Sequence, residues 1–109
     1  MTRTVLLLGR LGVVVEDAQR QLGMPDARLL VATGLDEVRS VLAQADIDHV
    51  IMGAGLDLEA RLEIVRESFL ASDTTTVHMK DVAPGPDGFV PFARSVLAGL
   101  AGDGFWPSA

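Results

Sequence analysis

Side chains able to perform acid–base or nucleophilic chemistry are few in this chain of 109 residues. It contains two histidines, one lysine, no cysteine and no tyrosine. The lack of cysteine excludes disulfides, thiolate catalysis and cysteine-bound metals, and the lack of tyrosine excludes phenolic catalysis. The remaining candidate group consists of His78 and Lys80, which share one face of a predicted strand, together with Asp57. Alternatively, His78 and Lys80 only discourage edge-to-edge pairing of an edge strand.

Two glycine-rich turns form a second candidate site. Gly9-Arg10-Leu11-Gly12 and Gly53-Ala54-Gly55-Leu56-Asp57 each follow an apolar run and precede an amphipathic segment. Backbone N–H groups in such turns can approach a phosphate at a helix N-terminus, and Arg10 adds a cation. Glycine also permits tight strand-to-helix turns that bind nothing. We predict no catalytic residue and no metal ligand, and the predicted ligand-binding residues are Gly9, Arg10, Gly12, Gly53, Gly55, Asp57, His78 and Lys80.

The histidine spacing does not suit a metal. His49 and His78 are far apart in the sequence, without the short spacing typical of a transition-metal pair. His49 directly precedes a predicted strand, at the edge of the sheet opposite the glycine turns, and is predicted to lie on the surface.

Charge limits the classes of partner. Fifteen acidic residues against nine basic ones give a formal net charge of −6, and the arginines are scattered. We therefore expect no binding to nucleic acid or to an anionic membrane surface. No apolar run approaches the roughly 18 residues that cross a bilayer, and the first run ends at Gly9, which predicts a cytoplasmic location. The preference for arginine over lysine suggests a bacterial source.

Four apolar runs, each followed by a helical pattern, must position these residues. The runs cover residues 5–8, 29–32, 50–52 and 74–79. This alternation predicts a three-layer α/β/α sandwich with a four-stranded parallel sheet, of the Rossmann or flavodoxin-like type. The first and third runs are the most uniformly apolar and belong in the centre, giving the strand order 2-1-3-4. Residues 1–101 are predicted to form one domain and residues 102–109 a tail.

The helical patterns predict which faces are buried. In the first helix the expected inward residues are Val14, Ala18 and Leu22, with Glu16 and Asp17 in the opening turn. The second helix is expected to begin with a capping box from Thr33 to Asp36. The third has Asp57 as N-cap and is expected to bury Leu58, Leu62, Val65 and Phe69. The fourth is expected to bury Phe89, Phe92, Val96 and Leu100, with Pro91 in its first turn.

The stretch Thr4-Val5-Leu6-Leu7-Leu8-Gly9-Arg10-Leu11-Gly12 resembles the first strand and glycine turn of the NAD(P)-binding domain of short-chain dehydrogenases. Asp48-His49-Val50-Ile51-Met52-Gly53-Ala54-Gly55 is similar to a later strand of that family, and the resemblance covers residues 1–81. It implies NAD(P) as a cofactor. Val15 occupies the position of the third glycine of the motif. Ala32 and Thr33 occupy the positions at which the family has an acidic residue or an arginine that binds the ribose. Without tyrosine, the resemblance implies a truncated binding half that lacks the catalytic motif.

Residues 74–81 are similar to the fourth strand of the receiver domains of response regulators. Gly53 stands where such domains carry the phospho-acceptor aspartate, and the carboxylates that would hold Mg²⁺ are missing. This resemblance implies a degenerate receiver that serves as an interaction module.

The leading functional hypothesis is a small, soluble, non-catalytic α/β module that works by binding. The alternatives are a Rossmann-like nucleotide-binding protein, a degenerate receiver-like regulatory domain, and an enzyme that uses His78, Lys80 and Asp57. The expected partners are a nucleotide or another phosphate-bearing small molecule, and a second copy of the chain. Phe105 and Trp106 in the tail are candidate anchors for that homodimer.

Overall fold

A computed structural model describes residues 3–24, 26–81 and 88–102, without the side chains of residues 101 and 102. Strands and helices alternate along the chain, as the sequence predicts. The strands are β1 (Arg3–Leu8), β2 (Ala27–Ala32), β3 (His49–Met52) and β4 (Thr76–Met79). The helices are α1 (Gly12–Leu22), α2 (Leu35–Gln44), α3 (Leu58–Ala71) and α4 (Phe89–Gly102). The predicted domain boundary at residue 101 and the tail anchors Phe105 and Trp106 are not tested, because residues 103–109 lie outside the described residues.

All four strands are parallel and lie in the order β2-β1-β3-β4, which confirms the predicted topology. Val5 of β1 is level with Leu29 of β2 on one side and with His49 of β3 on the other. Residues 5–8 and 49–52 are buried throughout. Strands that are covered on both faces need apolar side chains at every position, and the two most apolar runs therefore occupy the centre.

Alternate residues of the strands pack into two separate hydrophobic cores, one on each face of the sheet, which confirms the three-layer arrangement. Val5 and Leu7 pack with α1 and α4 on one face. Leu6 and Leu8 pack with α2 and α3 on the other. In the first layer, α1 buries Val15, Ala18 and Leu22, so Val15 replaces the expected Val14, which is half-buried.

The helix termini confirm one predicted cap and correct two other predictions. Asp57 caps α3, since its Oδ1 accepts a hydrogen bond from Ala60 N at 2.8 Å. The capping box expected from Thr33 to Asp36 is wrong by one residue, because α2 has Gly34 as N-cap and Glu37 in the position of the reciprocal acid. Glu37 Oε1 accepts a hydrogen bond from Thr33 N at 2.6 Å. The acids expected in the opening turn of α1 lie beyond it, because the helix already begins at Gly12.

The buried face predicted for α3 is wrong. Leu58, Leu62 and Phe69 are 57%, 54% and 45% exposed, and the residues that face the sheet are Ile64 and Ser68. Each residue of an α-helix is rotated by about 100° from the one before, so the buried and the exposed faces of α3 are about 110° apart around the helix axis. Ser68 satisfies its hydroxyl within the helix by donating to Ile64 O at 2.7 Å, and a small side chain with no unsatisfied group can lie against the sheet. The apolar stripe of α3 is therefore left on the surface.

α4 begins at Phe89, which places the exposed Pro91 in its first turn as predicted. Phe89, Ala93 and Leu97 are its buried residues. The expected inward residues Phe92, Val96 and Leu100 are half-buried and lie beside that buried line. None of the helices in the described ranges is both long and apolar enough to cross a membrane.

Candidate functional site

The two glycine turns meet at the carboxyl edge of the sheet. They follow β1 and β3, which are neighbours, and Gly53 N donates to Leu8 O at 2.8 Å. A Cβ atom on Gly55 would lie only 3.1 Å from Cβ of Arg10. The strand order changes direction between these strands, which is where open α/β sheets usually bind ligands. The structure therefore brings Arg10 and Gly55 together, as the sequence predicts.

Two of these glycines make room for side chains of the same chain. A Cβ atom on Gly9 would lie 2.9 Å from Cγ1 of Val15, and one on Gly53 would lie 3.1 Å from Cδ1 of Phe89. Both Val15 and Phe89 are buried. Glycine at positions 9 and 53 is therefore needed for close packing against these two core side chains.

Gly12 and Gly55 do not pack against buried side chains. A Cβ atom on Gly12 would lie 3.7 Å from Cγ2 of Thr33, an ordinary van der Waals distance. Gly55 is exposed and adjoins only Arg10. Packing against buried side chains therefore accounts for glycine at positions 9 and 53 but not at positions 12 and 55.

Arg10 is the exposed cation of this edge. Within the described ranges its side chain makes no hydrogen bond and no ion pair. It precedes α1, whose N-cap residue, Leu11, has an apolar side chain and provides no side-chain cap. The first turn of a helix and a nearby guanidinium both favour a negatively charged group.

His78, Lys80 and Asp57 each have a separate partner. Asp57 caps α3, and His78 Nε2 lies 2.9 Å from Thr76 Oγ1. Lys80 is only 5% exposed, and its Nζ donates to Asp81 O at 3.0 Å. His78 lies in β4, Lys80 directly follows the last residue of that strand, and the carboxylate of Asp57 is used to cap α3.

A cluster that the sequence did not predict joins β3 to β4. His49 Nδ1 lies 2.6 Å from Thr76 Oγ1, and the same hydroxyl is bonded to His78. The two imidazole rings have their centroids 6.5 Å apart. The surface position predicted for His49 is wrong, because β3 begins at His49 and the side chain is 6% exposed. The sequence does indicate that Thr76 and His78 share a face, because they lie two residues apart in a predicted strand. Their proximity to His49 depends on the register of β3 and β4, which the sequence pattern does not give.

Burial sets the protonation of this cluster. It lowers the pKa of His78, and it is also the largest cause of the lowered pKa of His49. The positive charge of Arg3 lowers the pKa of His49 further, whereas the carboxylate of Asp48 opposes the shift. Both imidazoles therefore favour the neutral form. A neutral pair linked through one hydroxyl suits structural hydrogen bonding between strands.

Asp48 fixes the entry to β3. Its Oδ2 accepts a hydrogen bond from Thr4 N at 2.8 Å, and its Oδ1 lies 3.9 Å from Nη1 of Arg3. Asp48 therefore ties β3 to the start of β1.

Three exposed apolar residues of α3 share one face of the helix with Val65. We call Leu58, Leu62, Val65 and Phe69 the α3 stripe; Val65 is half-buried and the others are exposed. On the opposite flank of α3, Glu67 Oε1 binds Nη2 of Arg39 in α2 at 3.0 Å. The stripe therefore points away from α2, toward β4.

Among the strands of the described residues, β4 is the one at the edge of the sheet on that side. Thr76 N and Lys80 N donate to Asp48 O and Met52 O, at 3.1 and 2.9 Å. In a parallel ladder, alternate residues of a strand bond to the same neighbour. The N–H and C=O groups of Val77 and Met79 therefore point away from β3. We call Val77 and Met79 the β4 edge. Their side chains alternate with that of His78 and so face the α3 layer, where Val77 packs against the core and Met79 is 45% exposed.

A surface groove of about 730 Å³ is lined by residues of α1 and α4, on the other side of the sheet. Its lining combines the exposed Val13 and Pro91 with charged side chains. Asp17 is already held by Arg20 at 3.1 Å and by Gln21 at 2.6 Å. The groove therefore offers less continuous apolar surface than the α3 stripe.

No group of three or more metal-binding side chains occurs in the part of the chain that the structure describes. Comparison of the chain with protein-family models, with curated proteins and with solved structures gives no match.

Proposed function

We propose that this protein is a non-catalytic protein-interaction module that binds through the α3 stripe and the β4 edge. The exposure of Leu58, Leu62 and Phe69 on one face of a well-anchored helix carries the proposal. A single exposed leucine is ordinary, but a contiguous apolar surface beside an open strand edge is a feature of interaction sites. Binding would remove both the stripe and the edge from water.

The state of the polar residues supports a role in binding over one in catalysis. Asp57 is used as a helix cap, Lys80 is buried against the backbone of Asp81, and His78 shares a hydroxyl with His49. A degenerate receiver-like domain would belong to the same functional class. A cytoplasmic location and self-association are parts of this proposal.

Site-specific photo-crosslinking in the cells that produce the protein tests this function. A benzophenone amino acid replaces Leu62 in the α3 stripe, and in a control it replaces Ser40, which is exposed on α2. We expect a protein adduct from position 62 and none from position 40, with the partner identified by mass spectrometry. Absence of any adduct at position 62, or equal adducts at both positions, would overturn the proposal.

A second candidate function is the binding of a nucleotide or another phosphate-bearing molecule at Arg10. It is favoured by the exposure of Arg10, which precedes the first turn of α1 and lies against Gly55. Thermal denaturation with saturating NAD(P), ATP or inorganic phosphate tests it, because a ligand that binds only the folded state raises the melting temperature. Arg10→Ala should abolish that rise and Arg28→Ala, at an exposed position of β2, should keep it. No rise with the unsubstituted protein contradicts this candidate.

A further inference from the structure

We propose that the partner of the α3 stripe is a second copy of this chain, related by a two-fold axis that sets the two α3 helices antiparallel. This inference rests on the proposed function and specifies its partner. The axis passes beside the β4 edge, so that the edge strands of the two copies lie next to each other in opposite directions. Such an interface uses the same surface of both copies.

The spacing of the α3 stripe is symmetric. Its residues follow one another at intervals of 4, 3 and 4, so the order reads the same from either end. An antiparallel two-fold about its centre places Leu58 against Phe69 of the second copy, and Leu62 against Val65. The larger pair, Leu58 and Phe69, then lies at the two ends of the interface. The helices can approach each other more closely in the middle, because Val65 is the smallest side chain of the stripe.

The charges beside the stripe are complementary under the same symmetry. Glu59 and Arg66 are exposed and lie on one flank of α3, about 20° apart around the helix at 100° per residue. Within the described ranges neither forms an ion pair. The two-fold that aligns the stripes brings Glu59 of each copy next to Arg66 of the other. Two opposite-charge pairs then define the outer rim and the antiparallel register.

The sheet edge lies on the other flank of the stripe. Ile64 and Ser68 direct α3 onto the sheet, and Glu67 faces α2, so the stripe points sideways past β4. The peptide groups of Val77 and Met79 are directed to the same side. An axis perpendicular to the sheet can therefore cover the apolar stripe and the open strand edge in one interface. A partner that covered only the helix would leave the β4 edge exposed.

The oligomeric state of the full chain tests this arrangement through a charge exchange. Sedimentation equilibrium at low salt compares the unsubstituted protein with Glu59→Arg, Arg66→Glu and the double variant. We expect a dimer for the unsubstituted protein and a weakening of association by about tenfold or more in each single variant, because each creates two like-charge contacts. The double variant should recover dimerisation. The control Glu16→Arg, at an exposed position of α1, should leave it unchanged.

Two further measurements keep the inference separate from the proposed function. Circular dichroism and thermal melting verify that each variant is folded, and Leu62→Glu should give a folded monomer. A monomeric unsubstituted protein, a dimer insensitive to Leu62→Glu, or a double variant that does not recover would overturn the two-fold interface. If the chain is monomeric but position 62 crosslinks to a different protein, the proposed function stands and only the identity of the partner is wrong.

Discussion

The hydroxyl oxygen of Thr76 in β4 lies 2.6 Å from Nδ1 of His49 in β3, and it also bonds Nε2 of His78 at 2.9 Å. One side chain on the edge strand thus joins two imidazoles, of which His49 belongs to a central strand. The cluster holds β4 against β3 on the α4 side, while Val77 packs into the core on the α3 side. This side-chain bond adds to the backbone hydrogen bonds that pair the edge strand with β3.

The first prediction concerns pH. Burial lowers the pKa of both His49 and His78 in the folded chain, while in the unfolded chain both titrate near the ordinary value of about 6.5. Below that value the unfolded state binds more protons, so stability is fully present above pH ~6.5 and falls as the pH drops toward the folded pKa values. Urea unfolding at pH 7.5 and pH 5.5 should show this loss, and His49→Gln should lose less over the same interval. Equal losses would contradict the assignment.

The second prediction concerns the bridging hydroxyl. Thr76→Val keeps the shape of the side chain but removes the hydrogen bond to His49, and it should lower the free energy of unfolding by about 1–3 kcal/mol. Thr76→Ser keeps the hydroxyl and is the matched control, with a smaller loss. Denaturant unfolding at pH 7.5 measures both. Equal destabilisation by the two substitutions would show that packing of the methyl group, and not the hydroxyl, stabilises this position.

The third prediction separates the packing role of the glycines from a ligand role. Gly9→Ala and Gly53→Ala force a methyl group against Val15 and Phe89, and each should cost about 1–3 kcal/mol of stability. Gly12→Ala meets only an ordinary contact with Thr33 and should change stability by about 0.5 kcal/mol or less.

A rescue variant tests the same clash directly. Val15→Ala removes the atom nearest to Gly9, so Gly9→Ala should cost less in that background than in the unsubstituted chain. Denaturant unfolding of the four proteins gives the coupling energy. A coupling of zero would mean that Gly9 is required for a reason other than its contact with Val15.

The fourth prediction concerns the cap of α3. Asp57→Ala removes the acceptor for Ala60 N and should lower stability by about 0.5–2 kcal/mol. Asp57→Asn should retain most of it, because an amide oxygen also accepts this bond. Asp46→Ala, at an exposed position before β3, controls for the loss of a negative charge. Thermal unfolding orders the three variants, and a loss in Asp46→Ala as large as that in Asp57→Ala would point to net charge as the cause.

Local patterns were sufficient for most of the architecture. The uninterrupted apolar runs predicted β1 and β3 as the central strands, since only such runs can be covered on both faces, and this led to the observed order. Asp57 was recognisable as a cap because a helix N-terminus needs a short polar acceptor at that position. The convergence of the Gly9 and Gly53 turns followed from the order of the strands.

The candidate site was only partly predictable. Arg10 and Gly55 are adjacent, as expected, but Val15 and Phe89 fill the space beside Gly9 and Gly53. Phe89 is remote from Gly53 in the sequence, and no local pattern indicates which side chain of α4 will lie over that turn.

The sequence by itself determined the parallel sheet, its strand order and the α3 cap, because periodicity and capping depend on neighbouring residues. Only the tertiary structure decided which face of α3 is buried. The stripe of Leu58, Leu62, Val65 and Phe69 is the more apolar face, yet Ile64 and Ser68 lie against the sheet. Close packing of a helix on a sheet depends on fit as well as on hydrophobicity. The same holds for His49, whose burial and bond to Thr76 arise from the pairing of strands distant in the chain.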